Sequence, residues 1–154
     1  MYAICYNGGE ERVVDMVAMS ATEVRKNWST VLDEVREKPQ FVKRTHDFSV
    51  LMNTDLLNLL LDDVKVLVVT VCDGNEFVVS SADVDIVSSG NSEKEAIDSF
   101  ISDLMEYCQE FYDEFDFWSS APNRKSHIPI VLKVCAAKNK KEVENIVVCQ
   151  NGQN

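Results

Sequence analysis

Three aspartates, Asp73, Asp83 and Asp85, fall where strands are expected to end, and carboxylates grouped in this way can hold Mg²⁺. Alternation places Asp83 and Asp85 on one face of a strand, but only the register decides whether Asp73 joins them. No fourth carboxylate is fixed nearby by any pattern, so the simpler reading is charge that solvates a strand edge. The five cysteines, Cys5, Cys72, Cys108, Cys135 and Cys149, are widely spaced and include no C-x-x-C pair. The two histidines, His46 and His127, lie near no close cysteine pair, which argues against zinc. Neither a Cys-His nor a Ser-His-Asp arrangement can be drawn from these spacings. The segment GNSEK lacks the spacing of a phosphate-binding loop. No catalytic residue, metal or cofactor is therefore assigned, and the chain is expected not to be an enzyme. Small, partly buried thiols in a reduced, cytoplasmic protein fit the cysteine usage.

Charge carries the remaining chemistry. The 154 residues sum to a net charge of −11, but unevenly. Residues 20–50 carry six bases and five acids, residues 51–120 sixteen acids and two bases, and residues 121–154 six bases and two acids. The acidic centre repels DNA and attracts basic proteins, unless it is only a well-solvated helix face. With 45% apolar residues the chain can bury a core as one ordinary domain or two small ones. Five glycines and three prolines argue against linker or low-complexity sequence. No apolar run reaches the length of a membrane span, and no secretion signal is read at the N-terminus.

The elements that must position these groups follow from periodicity and punctuation. Residues 1–12 are weakly patterned and read as a flexible lead. VVDMVAM reads as a short strand. Ser20 and Glu23 form an S-x-x-E capping box ahead of a helix whose apolar positions are Val24, Trp28, Val31, Leu32 and Val35. Pro39 stops that helix. FVKR and FSVLMN alternate as two strands about a tight THD turn, and Thr54 or Asp55 is expected to cap a second helix. This makes a β-α-β-β-α unit over residues 13–62.

From residue 63 a second α+β unit is expected, ordered β-β-β-α-β-α, with an antiparallel sheet and one long helix. VKVLVVTV, EFVVSSA and VDIVSSG are its first three strands, with a turn at CDGN. Ser92 caps a helix over about 93–118, with Ile97, Phe100, Ile101, Leu104, Cys108, Phe111, Phe115 and Trp118 on one face. That aromatic stripe reads as core. IPIVLKVCAA reads as a fourth strand and KKEVENIVV as a final helix.

Residues 16–60, from MSATEVRKNWSTVLDEV to FVKR-THD-FSVLMNTDLL, resemble the Phd/YefM antitoxins of bacterial toxin–antitoxin systems (RelE/RelB-like). The family's hairpin turn is often Arg-Gly-Lys-Pro-like, whereas this chain has Arg44-Thr45-His46-Asp47. The resemblance implies a homodimer formed through the N-terminal unit, which binds operator DNA and represses its own operon. It places Arg25 and Arg44 at the DNA. Ser20 and Thr22 can add hydroxyl contacts at the helix start, and Lys26, Lys43 and His46 broaden the patch. The plainer alternative pairs Arg25 and Arg44 with Glu23, Asp33 or Asp47 on a solvated surface.

FVVSSADVDIVSSGNSEKEAIDSF, with the long helix behind it, resembles the partial RNase H-like fold of HicB-type antitoxins. In such a protein residues 63–154 would bind the cognate toxin. Glu106, Glu110, Asp113, Glu114 and Asp116 are the face offered to a basic, RelE-like ribonuclease. The alternative function is a protein-interaction module or orphan antitoxin that does not bind DNA.

Overall fold

The computed structural model describes residues 17–150. The expected lead over 1–12 and the first part of the VVDMVAM strand lie outside them. The chain divides into two compact units, one ending at Leu56 and the other beginning at Leu57.

The first unit opens with β1 (Met19–Ser20) and α1 (Ala21–Lys26). Its capping box is complete: the Ser20 hydroxyl accepts from the Glu23 N–H at 3.2 Å, and the Glu23 carboxylate accepts from the Ser20 N–H at 2.9 Å. The expected single helix is broken at Asn27 (φ −117°), and α2 runs Trp28–Val35. β2 (Gln40–Arg44) and β3 (Asp47–Leu51) form an antiparallel hairpin in which Arg44 faces Asp47, and β1 pairs parallel to β2. The two-residue turn is closed by Thr45 at φ 55°, the left-handed region that glycine occupies without strain. Val24, Val31 and Val35 are buried with Met19, Val42 and Leu51 against them. Trp28 and Leu32 flank that stripe and are exposed, so only part of the expected apolar face is core.

α3 (Thr54–Leu60) is capped by neither Thr54 nor Asp55. Asn53 does this: its Oδ1 accepts from the Leu56 N–H at 2.7 Å, while its Nδ2 donates to the Val35 and Arg36 carbonyls that end α2.

The second unit is built on a mixed four-stranded sheet ordered β6-β5-β4-β7, from β4 (Val66–Asp73), β5 (Glu76–Ser81), β6 (Ile86–Gly90) and β7 (Val147–Gln150). The three-stranded meander and the α+β class stand as expected. α4 (Glu93–Asp113) crosses the sheet, with Ser92 accepting from the Glu95 N–H at its start. Phe100, Ile101, Leu104, Cys108 and Phe111 bury against Val66, Val68 and Val79. α4 ends at Glu114 (φ −114°, ψ 42°), short of the expected residue 118. After that break comes α5 (Phe115–Ser120), and Phe115 and Trp118 pack 5.7 and 6.1 Å from the Phe111 ring.

The last third of this unit departs from the reading of its sequence. Residues 128–135 form α6 (Ile128–Cys135), not a strand. A run of eight residues that is apolar except at Lys133 satisfies either period, and Pro129 in the first turn of α6 pre-sets helical φ. Ile130, Val131 and Val134 fall on one helical face and join the core. The same winding delivers Lys133 to a buried position, where its Nζ donates to the carbonyls of Leu61 (2.6 Å), Val64 (2.9 Å) and Asp62 (3.0 Å). The expected final helix is only α7 (Lys140–Glu144), after which β7 adds to the sheet parallel to β4.

Candidate functional site

The first unit gathers the cations named from sequence into two places. Arg25 and Lys26 occupy the last turn of α1, and Lys43 and Arg44 the end of β2, with His46 in the turn. Arg25, Lys26, Arg44 and His46 are exposed, and so is Thr22. Lys43 is partly covered and its Nζ sits 5.4 Å over the Phe48 ring. Neither Arg25 nor Arg44 forms an ion pair with a described residue, so the pairing with Glu23, Asp33 or Asp47 is absent there. Ser20 is differently placed from a free hydroxyl donor. Its Oγ–H points at the Glu23 carboxylate (2.7 Å), and that bond, with the one from its backbone N–H, holds the carboxyl below its ordinary value. A carboxylate therefore sits on the first turn of α1.

Sequence reasoning assigned no surface role to four apolar side chains. Trp28 and Leu32 lie one turn apart on α2, and Phe41 and Val50 face each other across the hairpin; all four are exposed. The usable signal was that Trp28 and Leu32 lie to one side of the Val24–Val31–Val35 stripe.

In the second unit Glu106, Glu110, Asp113 and Glu114 are spaced by threes and fours toward the end of α4, and Asp116 follows in α5; all five are exposed. Asp113 accepts from the Gln109 side chain at 2.9 Å. Exposed Tyr112 and Phe117 stand among these acids.

The family described as "Antitoxin of toxin-antitoxin, RelE / RelB, TA system" (PHD_like) matches residues 16–149. The chain belongs to this antitoxin family. A crystal structure of an antitoxin part of a proposed toxin/antitoxin system from Syntrophomonas wolfei subsp. wolfei is 34% identical. It superposes with a TM-score of 0.80, over 86% of this chain and 97% of that one. No curated protein matches. No helix among the described residues of the antitoxin is long and apolar enough to cross a membrane.

Two of the three aspartates weighed for metal binding are otherwise engaged in the antitoxin. Asp83 and Asp85 lie in the turn before β6 rather than on one strand face, with Asp85 at φ 53°. Asp83 accepts from the Leu67 N–H at 2.8 Å, and Asp85 pairs with Arg124 at 3.3 Å. Asp73 ends β4 at the far hairpin. Among the described residues no group of three or more His, Cys, Asp or Glu side chains is disposed to hold a metal. A half-open cleft of about 530 Å³ beside Asp83 and Asp85 is walled by Asp63, Lys65, Ser126 and His127.

His127 is buried and hydrogen-bonded through Nδ1 to the Tyr107 hydroxyl at 2.6 Å. Burial, reinforced by Arg124, holds its imidazole below the ordinary value. Burial likewise raises the Tyr107 phenol and pushes the buried Cys108 thiol up to about 12, so both stay protonated, and it raises the thiol of Cys135, which is exposed.

Proposed function

We propose that this antitoxin neutralises a basic, RelE-like ribonuclease by direct binding and represses its own operon by binding operator DNA. It does so in the cytoplasm and without catalysis of its own. Membership of the antitoxin family carries the reading. The N-terminal unit is the dimerisation and DNA-binding part. Arg25 and Arg44 contact DNA, Thr22, Lys26, Lys43 and His46 extend the contact, and Ser20 fixes the start of α1. Their support is placement: two exposed arginines without ion-pair partners among the described residues, on adjoining elements of one small unit. The exposed Trp28, Leu32, Phe41 and Val50 give a homodimer an apolar surface to bury.

The second unit, expected from residue 63, is the toxin-binding part. Glu106, Glu110, Asp113, Glu114 and Asp116 form its acidic face, with Tyr112 and Phe117 as apolar anchors among the charges.

The operator arm is tested by gel shift with the DNA upstream of the antitoxin's own gene. Wild type shifts that DNA at low salt, and an Arg25→Ala, Arg44→Ala variant binds at least about tenfold more weakly with a shallower salt dependence. Failure of wild type to shift the DNA at low salt ends the repressor reading. A module that binds only protein is the second reading. The net charge of −11 and the Glu23 carboxylate on the first turn of α1 favour it.

A further inference from the structure

The cleft of about 530 Å³ in the second unit has no part in the contacts proposed so far. Its volume suits a small organic group rather than a lone ion. Val64, Pro129 and Ile130 give it apolar wall, and its charges are Asp63, Asp83 and Asp85 against Lys65. Much of the acid is uncompensated. Asp85 is held by Arg124, but Asp83 is fixed through Oδ2 alone, which accepts from the Leu67 N–H at 2.8 Å. Neither the other Asp83 oxygen nor Asp63 has a partner among the described residues. Lys65 does not neutralise them, because its Nζ donates to the Asn145 carbonyl at 3.3 Å.

Acids alone would make only a solvated rim; His127 adds an independent demand. It is 3% exposed and yet lines the cleft. Its Nδ1 is taken by the Tyr107 hydroxyl at 2.6 Å, and Tyr107 does not line the cleft, so Nε2 across the ring is the nitrogen left for it. Nε2 has no partner among the described residues. Tyr107 has one hydroxyl hydrogen to place, and Nδ1 is its one acceptor among those residues. The hydroxyl therefore donates, and the ring hydrogen sits on Nε2. A buried donor normally has its acceptor, and here that acceptor must come from outside the chain.

We propose that the cleft receives an arginine residue of a basic partner protein. Its guanidinium meets Asp63 and the free oxygen of Asp83, and a backbone carbonyl of the same segment accepts from His127 Nε2–H. A bound anion would face three carboxylates, and no three ligating side chains among the described residues are disposed for a metal ion. A guanidinium is planar, weakly hydrated and carried on an apolar stem that Val64, Pro129 and Ile130 can cover. The chain uses the same pairing at the rim, where Arg124 meets Asp85 at 3.3 Å. This inference rests on the reading that the partner is a basic toxin, and it gives that toxin an anchor other than the acidic end of α4.

Nuclear magnetic resonance titration of the full chain with Nα-acetyl-arginine N-methylamide tests the cleft directly. Saturable shifts are expected at the amides of Asp83 and Asp85 and at the His127 ring, with the millimolar affinity usual for so small a ligand. The probe should bind an Asp63→Asn, Asp83→Asn variant at least about tenfold more weakly. Asparagine at 83 still offers an oxygen to the Leu67 N–H, so the fold is kept. No saturable shift in wild type overturns the proposal, as does equal binding by the variant or by the uncharged citrulline analogue. Capture of the cognate toxin separates the two readings. Equal toxin affinity for wild type and variant ends the present inference and leaves the acidic end of α4 as the toxin's site. A wild type that captures no toxin ends the toxin reading, and the probe titration alone then decides the cleft.

Discussion

Asn53 holds two helix ends at once. Its carbonyl oxygen caps the start of α3 and its amide closes the end of α2. Asn53→Ala removes a cap and two donated bonds and is expected to cost about 2 kcal/mol in urea unfolding of the full chain. Asn53→Asp keeps the acceptor and loses the donors, so it should cost about half as much. His127 is the other residue whose surroundings decide its chemistry. Burial and Arg124 depress it, with Asp85 and Asp83 opposing. A depressed folded value means that the unfolded chain takes up a proton that the folded chain resists. This contribution to stability is therefore complete above the unfolded value of about 6.5 and is lost as pH falls below it. The urea midpoint should drop between about pH 7.5 and 5.5, and His127→Gln should flatten that part of the slope.

The starts of α1, α3, α4 and α7 are set by side-chain caps, and the position of α4 by close backbone approach. Gly90 ends β6 where α4 begins, and a Cβ there would lie 2.5 Å from the Ala96 nitrogen and 2.8 Å from the Glu95 carbonyl carbon. Nothing flexible stands in that contact, so Gly90→Ala must push the first turn of α4 off the sheet. A loss of about 2 kcal/mol or more and a lower melting temperature are expected. At Glu114 α4 ends, and Phe115 and Trp118 beyond it pack on Phe111. Lys133 links α6 to the 61–64 segment by three hydrogen bonds, an arrangement open to a helix in that position and closed to a strand.

Charge separates along the whole molecule. Residues 20–50 are one charge positive, while residues 51–120 carry fourteen more acids than bases. DNA binding by such a molecule must depend on a few placed cations rather than on bulk attraction. Toxin binding should be the reverse. Under the proposed function the acidic field would steer a basic toxin, so the association rate is expected to fall about tenfold or more as salt rises past the physiological range, with little change in dissociation. Stopped-flow mixing with the cognate toxin reads both rates. Reversing Glu106, Glu110 and Asp113 to lysine should flatten the salt dependence.

What the sequence determined by itself were the features encoded by neighbours in the chain. Ser20 with Glu23, Ser92 ahead of α4, the tight turn after Arg44 and the alternation of β2 and β3 all rest on contacts within a few residues, and the family resemblance rests on their order. The tertiary structure decided what local pattern leaves degenerate. IPIVLKVC is apolar enough for either period, and Pro129 together with the space beside α4 makes it helix. The strand beside β4 comes instead from Val147–Gln150. Only the folded sheet shows that Leu67, Val69 and Val71 have no core of their own, because a continuous valine run does not reveal which of its faces is covered.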